Sequence, residues 1–74
     1  MITIKGARVN ANLEQEEVAK KLGMTKKTYI NYEKYRSYFR VDKAYEFARI
    51  VKYPLDQIIF LPINYTSSVE KETA

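Results

Sequence analysis

The sequence predicts an all-α fold, a compact bundle of about five short helices. Three observations predict it. The stretch LEQEEVAKKLGMTKKTYINYE, Leu13 to Glu33, reads as two amphipathic helices joined by a four-residue turn with one glycine, a helix-turn-helix. Val41, Ala44, Ala48 and Val51 recur further on at helical spacing. The chain has no cysteine, two glycines and two prolines, so neither a disulfide framework nor a long linker competes with helix packing. Its 74 residues make one domain with a small core, and a hydrophobic share of 46% is enough to build it.

The elements follow in order. Residues 3–11 form a short helix with Ile4, Ala7 and Val9 turned inward. Gly6 weakens this helix by roughly 1 kcal/mol relative to alanine. Asn12 suits a left-handed turn, and Leu13 returns to the core. In the second helix Val18, Ala19 and Leu22 form an apolar stripe. Glu14, Glu16 and Glu17 at its start and Lys20 and Lys21 in its last turn complement the helix dipole. Gly23 stops it by a left-handed conformation, and Met24 plugs the space before the next helix. Thr25 is the N-cap of the third helix, whose inward face is Tyr29 and Tyr32. Lys26, Lys27, Ile30, Asn31 and Lys34 fall on its other faces. Residues 35–40, YRSYFR, make a polar-aromatic loop. A fourth helix runs from about Val41 to Lys52, with Tyr45 and Phe47 flanking its stripe. Pro54 suits the first position of a fifth helix carried by Leu55, Ile58 and Ile59 and ended by Pro62. The helix-turn-helix domain thus spans residues 1–62. Residues 63–74 are a short C-terminal tail with little to bury, expected to be partly disordered.

Charge is unevenly distributed. Residues 1–19 sum to −1, residues 20–40 to +6 and residues 41–74 to −1, for a net charge of +4. The positive field therefore sits on the third helix and the segment after it, which favours a polyanion and steers its approach. With no histidine and no cysteine, no phosphate loop and no paired carboxylates in an apolar setting, the chain offers no catalytic residues, metal site or cofactor site and is expected not to be an enzyme. No apolar run approaches membrane-spanning length and the N-terminus has no signal-peptide pattern, so a cytoplasmic protein without a membrane partner or small-molecule substrate is expected.

Beyond these physical features, Gln15, Ala19, Gly23, Tyr29, Tyr32 and Glu33 stand in a pattern that resembles the phage-repressor and Cro-type (Xre-like) helix-turn-helix domains, also described as lambda-repressor-like. The likeness runs from about Ile4 to Leu61, and ARVNANLEQEEVAKKLGM and PLDQIIFLP read like such domains. There are departures. Glu14 stands where a threonine or serine cap is usual, Tyr35 where a glycine usually follows the third helix, and Tyr29 where a smaller isoleucine or valine is common.

The resemblance implies that the third helix is a recognition helix in the major groove of a double-stranded DNA operator. Base-reading positions are then Lys26, Lys27, Thr28 and Asn31. Lysine can donate to guanine, and asparagine can bind adenine through two hydrogen bonds. Phosphate contacts are expected from Gln15, Lys34, Arg36 and Arg40. Arg8 and Glu33 are expected to form a structural ion pair, worth ~0–1 kcal/mol if partly exposed. Ile30 either contacts thymine methyls or fills the core beside Tyr29. Tyr35 and Tyr38 are open between a core lid, a dimer contact and a sugar-phosphate contact. The implied function is a sequence-specific transcriptional regulator, a repressor of phage or mobile-element origin, acting as a homodimer on DNA. Ile59, Phe60, Ile63 and Tyr65 are the apolar residues most available for pairing. A self-cleaving switch with its own dimerisation domain is not expected within this polypeptide. The alternative is a protein-interaction module, such as an antitoxin, on the same fold.

Overall fold

The computed structural model describes residues 1–61. Four α-helices form the body: α1 (Ile4–Asn10), α2 (Gln15–Lys21), α3 (Lys26–Glu33) and α4 (Val41–Val51). Two short strands, β1 (Ile2–Thr3) and β2 (Ile58–Ile59), join the ends of this body as a parallel pair, with Ile2 opposite Ile58 and Thr3 opposite Ile59.

The expected fifth helix does not form. Pro54 is extended, at φ −58° and ψ 133°, and the chain makes only a 3-10 turn over Leu55–Gln57 before Ile58 and Ile59 enter β2. Local periodicity gives no hint of this, because the partner of the two β-branched isoleucines is the N-terminus, more than fifty residues away. The described residues therefore hold four helices and a two-stranded ribbon rather than about five helices.

Each helix end has a local cause. The Thr3 hydroxyl accepts from the Gly6 N–H at 2.9 Å and caps α1. Gly6 is also a point of close approach: a Cβ there would lie 2.8 Å from Ile2 Cγ1, so any side chain has to push the Ile2 side chain aside. Asn12 turns the chain at φ 60° and Gly23 ends the α2 turn at φ 74°. Although Glu14 is not a hydroxyl cap, Glu17 compensates by accepting from the Glu14 N–H at 2.8 Å. Lys43 of α4 donates to the Leu22 carbonyl at 2.8 Å, closing the other end of α2. Thr25 accepts from the Thr28 N–H at 3.2 Å and caps α3. Tyr35 (φ 59°) and Lys52 (φ 55°) take the left-handed conformation after α3 and α4 without a glycine.

The core is built from Ile4, Ala7, Val18, Ala19, Leu22, Tyr29, Phe47, Ala48, Val51 and Ile58. Leu13 and Met24 pack against it. Three expected orientations change. Val9 is 54% exposed and Val41 74% exposed, whereas Phe47 is fully buried. In α4 the inward stripe is Ala44, Phe47, Ala48 and Val51, and Val41, in the first turn, extends past the core.

Phe47 is so deeply placed because an aromatic cluster surrounds it. Its ring lies 6.4 Å from Tyr29, 5.5 Å from Phe39 and 6.2 Å from Phe60, and Tyr32 stacks on Phe39 at 4.3 Å. The loop after α3 is thus partly a core element, with Phe39 as its anchor. Tyr35 supplies the polar part: its hydroxyl donates to the Ile59 carbonyl at 2.5 Å and accepts from the Ile4 N–H at 3.3 Å. It clasps β2 to the start of α1, as a core lid would. Phe60, expected on a pairing surface, instead packs in this cluster against Phe39 and Phe47. Ile63, Tyr65 and the tail lie outside the described residues.

Candidate nucleic-acid interface

The candidate interface is the outer surface of α3 with the loop that follows. α3 advances about 100° per residue, so Tyr29, Tyr32 and Glu33 share one side and Lys27, Ile30, Asn31 and Lys34 share the opposite one. Burial agrees at the extremes: Tyr29 is fully buried and Lys26, Lys27, Thr28 and Lys34 are exposed, while Ile30, Asn31, Tyr32 and Glu33 are all intermediate.

What fixes α3 against the rest of the body is a polar knot beneath it. The Glu33 carboxylate accepts from Arg8 Nε at 2.5 Å and Arg8 Nη2 at 3.5 Å, from the Tyr29 hydroxyl at 2.6 Å and from Gln15 Nε2 at 3.0 Å. Arg8 also donates to the Leu13 carbonyl at 2.9 Å. One carboxylate therefore ties α1, α2 and α3 together. The side chains of Arg8 and Glu33 are only 11% and 4% exposed, so the pair is largely shielded from water without being fully buried. Burial pushes the Glu33 pKa up, but the hydrogen bonds from Arg8, Tyr29 and Gln15 outweigh it and hold the group below the usual carboxylate range. The Tyr29 hydroxyl is pushed well above its ordinary range, by burial first and then by donation to Glu33. The large Tyr29 thus fits because it supplies a donor as well as a ring.

The knot also shapes the field. Glu33 is the only acid between residues 20 and 40, and its charge is turned inward onto Arg8. Lys26, Lys27, Lys34, Arg36 and Arg40 are all exposed. Arg40 lies 3.9 Å from Asp42, both side chains being largely in water, so this contact holds it weakly. The Arg36 N–H donates to the Asn31 carbonyl at 2.9 Å, which turns the chain directly off the end of α3 and keeps Arg36 beside it.

The sequence-predicted residues fall into two groups. Lys26, Lys27, Thr28, Asn31, Lys34 and Arg36 are gathered on α3 and its exit. Gln15 sits at the start of α2, where it lines a cleft with Lys5, Arg8, Glu14, Glu16 and Lys26. One of its two amide protons is used by Glu33. Thr28 is likewise engaged, since the Thr25 hydroxyl donates to its Oγ1 at 3.0 Å and leaves its own hydroxyl proton to give. Phe39 carries the loop that bears Arg36 and Arg40, and sequence reasoning missed it. An apolar residue in a short polar loop was the available signal.

A solvent-facing helix seated on a second helix across a glycine turn, with a dense positive flank, is the working surface of a helix-turn-helix domain. A helix-turn-helix family model matches residues 4–58, well over half of the chain, and the chain belongs to the Xre-type, lambda-repressor-like helix-turn-helix family. This makes it a DNA-binding regulator of the Xre type. The family is one of regulatory DNA-binding domains, not usually enzymes. No curated protein and no solved structure matches the chain. Among the described residues, no helix is long and apolar enough to cross a membrane.

Proposed function

We propose that the protein is a sequence-specific repressor of phage or mobile-element type that reads an operator with α3. The observation that carries this is the outward stripe Lys27, Ile30, Asn31 and Lys34, rigidly backed by the Glu33 knot. Lys26, Lys27, Thr28 and Asn31 read base edges, because the N-terminal half of such a helix enters the major groove. Gln15, Lys34, Arg36 and Arg40 hold phosphates on either side. Gln15 does so through its second amide proton, while the first keeps it in register with α3.

Two copies occupy one site, with recognition helices about 34 Å apart. One module touches too few base pairs to find a site among a genome of competitors. The interaction-module reading rests on Val41 and Tyr45, exposed one turn apart on α4. Single exposed apolar side chains are ordinary on soluble proteins, so they weigh less than the basic stripe.

Selection of bound duplexes from random DNA tests the proposal. The expected result is an enriched inverted repeat with half-sites about one helical turn apart. An enriched site without symmetry would remove the pairing, and no enrichment would remove base reading.

A further inference from the structure

We propose that Tyr35 is a positioning residue for DNA binding: its hydroxyl clasps the exit of α3 to the β1–β2 ribbon and so holds Arg36 where it meets a phosphate. The inference rests on the proposal that Arg36 contacts the DNA backbone, and deepens it. Tyr35 is mismatched to its own backbone. α3 ends in a cap that needs a left-handed residue. The Tyr35 N–H donates to the Tyr32 carbonyl at 3.1 Å and the Arg36 N–H to the Asn31 carbonyl at 2.9 Å, with Tyr35 at φ 59°. Glycine takes that conformation freely, whereas a side chain makes it costly. The cap itself therefore gives no reason for a tyrosine.

The reason lies at the far end of the side chain. The hydroxyl donates to the Ile59 carbonyl at 2.5 Å and accepts from the Ile4 N–H at 3.3 Å, so it grips both strands' ends of the ribbon at once. A costly conformation persists where the surroundings over-determine it, and these two bonds do so. The loop after α3 is thus pinned at two points. Tyr35 holds its start, and Phe39, stacked between Tyr32 and Phe47, holds its end. Arg36 stands between them with its side chain exposed. Coupling of this kind is reciprocal. A phosphate that fixes Arg36 also steadies the clasp and the ribbon behind it.

The test measures the affinity of the full chain for random duplex DNA in wild type, Tyr35→Phe, Arg36→Ala and the double variant. Tyr35→Phe removes only the hydroxyl and should weaken binding roughly fivefold, the effect of one neutral hydrogen bond. Arg36→Ala should weaken it further and make the salt slope shallower by about 1. In the double variant the Tyr35→Phe loss should vanish, because no guanidinium is left to position. A purely structural role would give the same loss in both backgrounds. Tyr35→Gly relaxes the backbone but cannot clasp, and it should bind as weakly as Tyr35→Phe. Hydrogen exchange of the Ile4 amide in wild type gives a readout that needs no variant: it should slow when duplex is added. Tyr35→Gly binding as tightly as wild type, an equal Tyr35→Phe loss with and without Arg36, or Ile4 exchange indifferent to duplex would each overturn the positioning role and leave the phosphate contact standing. Arg36→Ala with unchanged affinity and salt slope would overturn the phosphate contact, and the positioning role with it.

Discussion

Glu33→Ala should destabilise the fold by about 3 kcal/mol, the lower end of the cost of breaking a buried ion pair by removing one partner, because this pair is largely but not fully shielded from water. Arg8 would be left with an uncompensated charge, and the Tyr29 hydroxyl and Gln15 amide would lose their acceptor. A domain of this size draws only about 3–5 kcal/mol from its core, so the variant should lie close to its unfolding transition at 25 °C by circular dichroism. A cooperative transition within about 1 kcal/mol of wild type would contradict the structural role given to the knot. This is well above the surface-pair value that the sequence suggests, and the reason is burial.

Glu33 also ties stability to pH. Its folded pKa lies below its ordinary value. The stability from its ionised form is therefore fully present above the unfolded value, about 4.3, and is lost as pH falls through the lower folded value. Glu33→Gln keeps an acceptor but removes the charge. Its stability gap to wild type should narrow between about pH 6 and about pH 3 in urea titrations, the range that brackets that value. A gap that stays constant would show that ionisation of Glu33 contributes nothing.

The second large effect is the salt dependence of duplex binding. Lys34, Arg36 and Arg40 are exposed on and after α3. If two bound copies each neutralise three phosphates, log affinity should fall with log salt at a slope near −5, about a thousandfold between 50 and 200 mM. A flat dependence would remove the phosphate contacts.

Residues that act locally were legible in the sequence. Gly23, Asn12 and Thr25 do at their positions what their chemistry suggests, and the glycine turn with its flanking apolar stripes located the motif. The outward set on α3 followed from where Tyr29 and Tyr32 had to point. Contacts between distant segments were not legible. The β1–β2 pairing, the Tyr35 clasp from the end of α3 to Ile4 and Ile59, and the assembly of Phe39, Phe47 and Phe60 all join residues that no periodicity relates. Glu33 lies between these cases. Its pairing with Arg8 was expected from the family pattern, but the additional donors from Tyr29 and Gln15 depend on a tyrosine where smaller residues are common.

The central claim is that the outward face of α3 reads bases while the segment after it holds the backbone. It is tested most directly by measuring affinities for the selected operator and for random duplex with Lys27→Ala, Asn31→Ala and Arg36→Ala. Lys27→Ala and Asn31→Ala should each reduce discrimination by about 1–3 kcal/mol. Arg36→Ala should weaken both duplexes alike and leave their ratio unchanged. An Asn31→Ala variant that loses affinity equally for operator and random DNA would contradict the account.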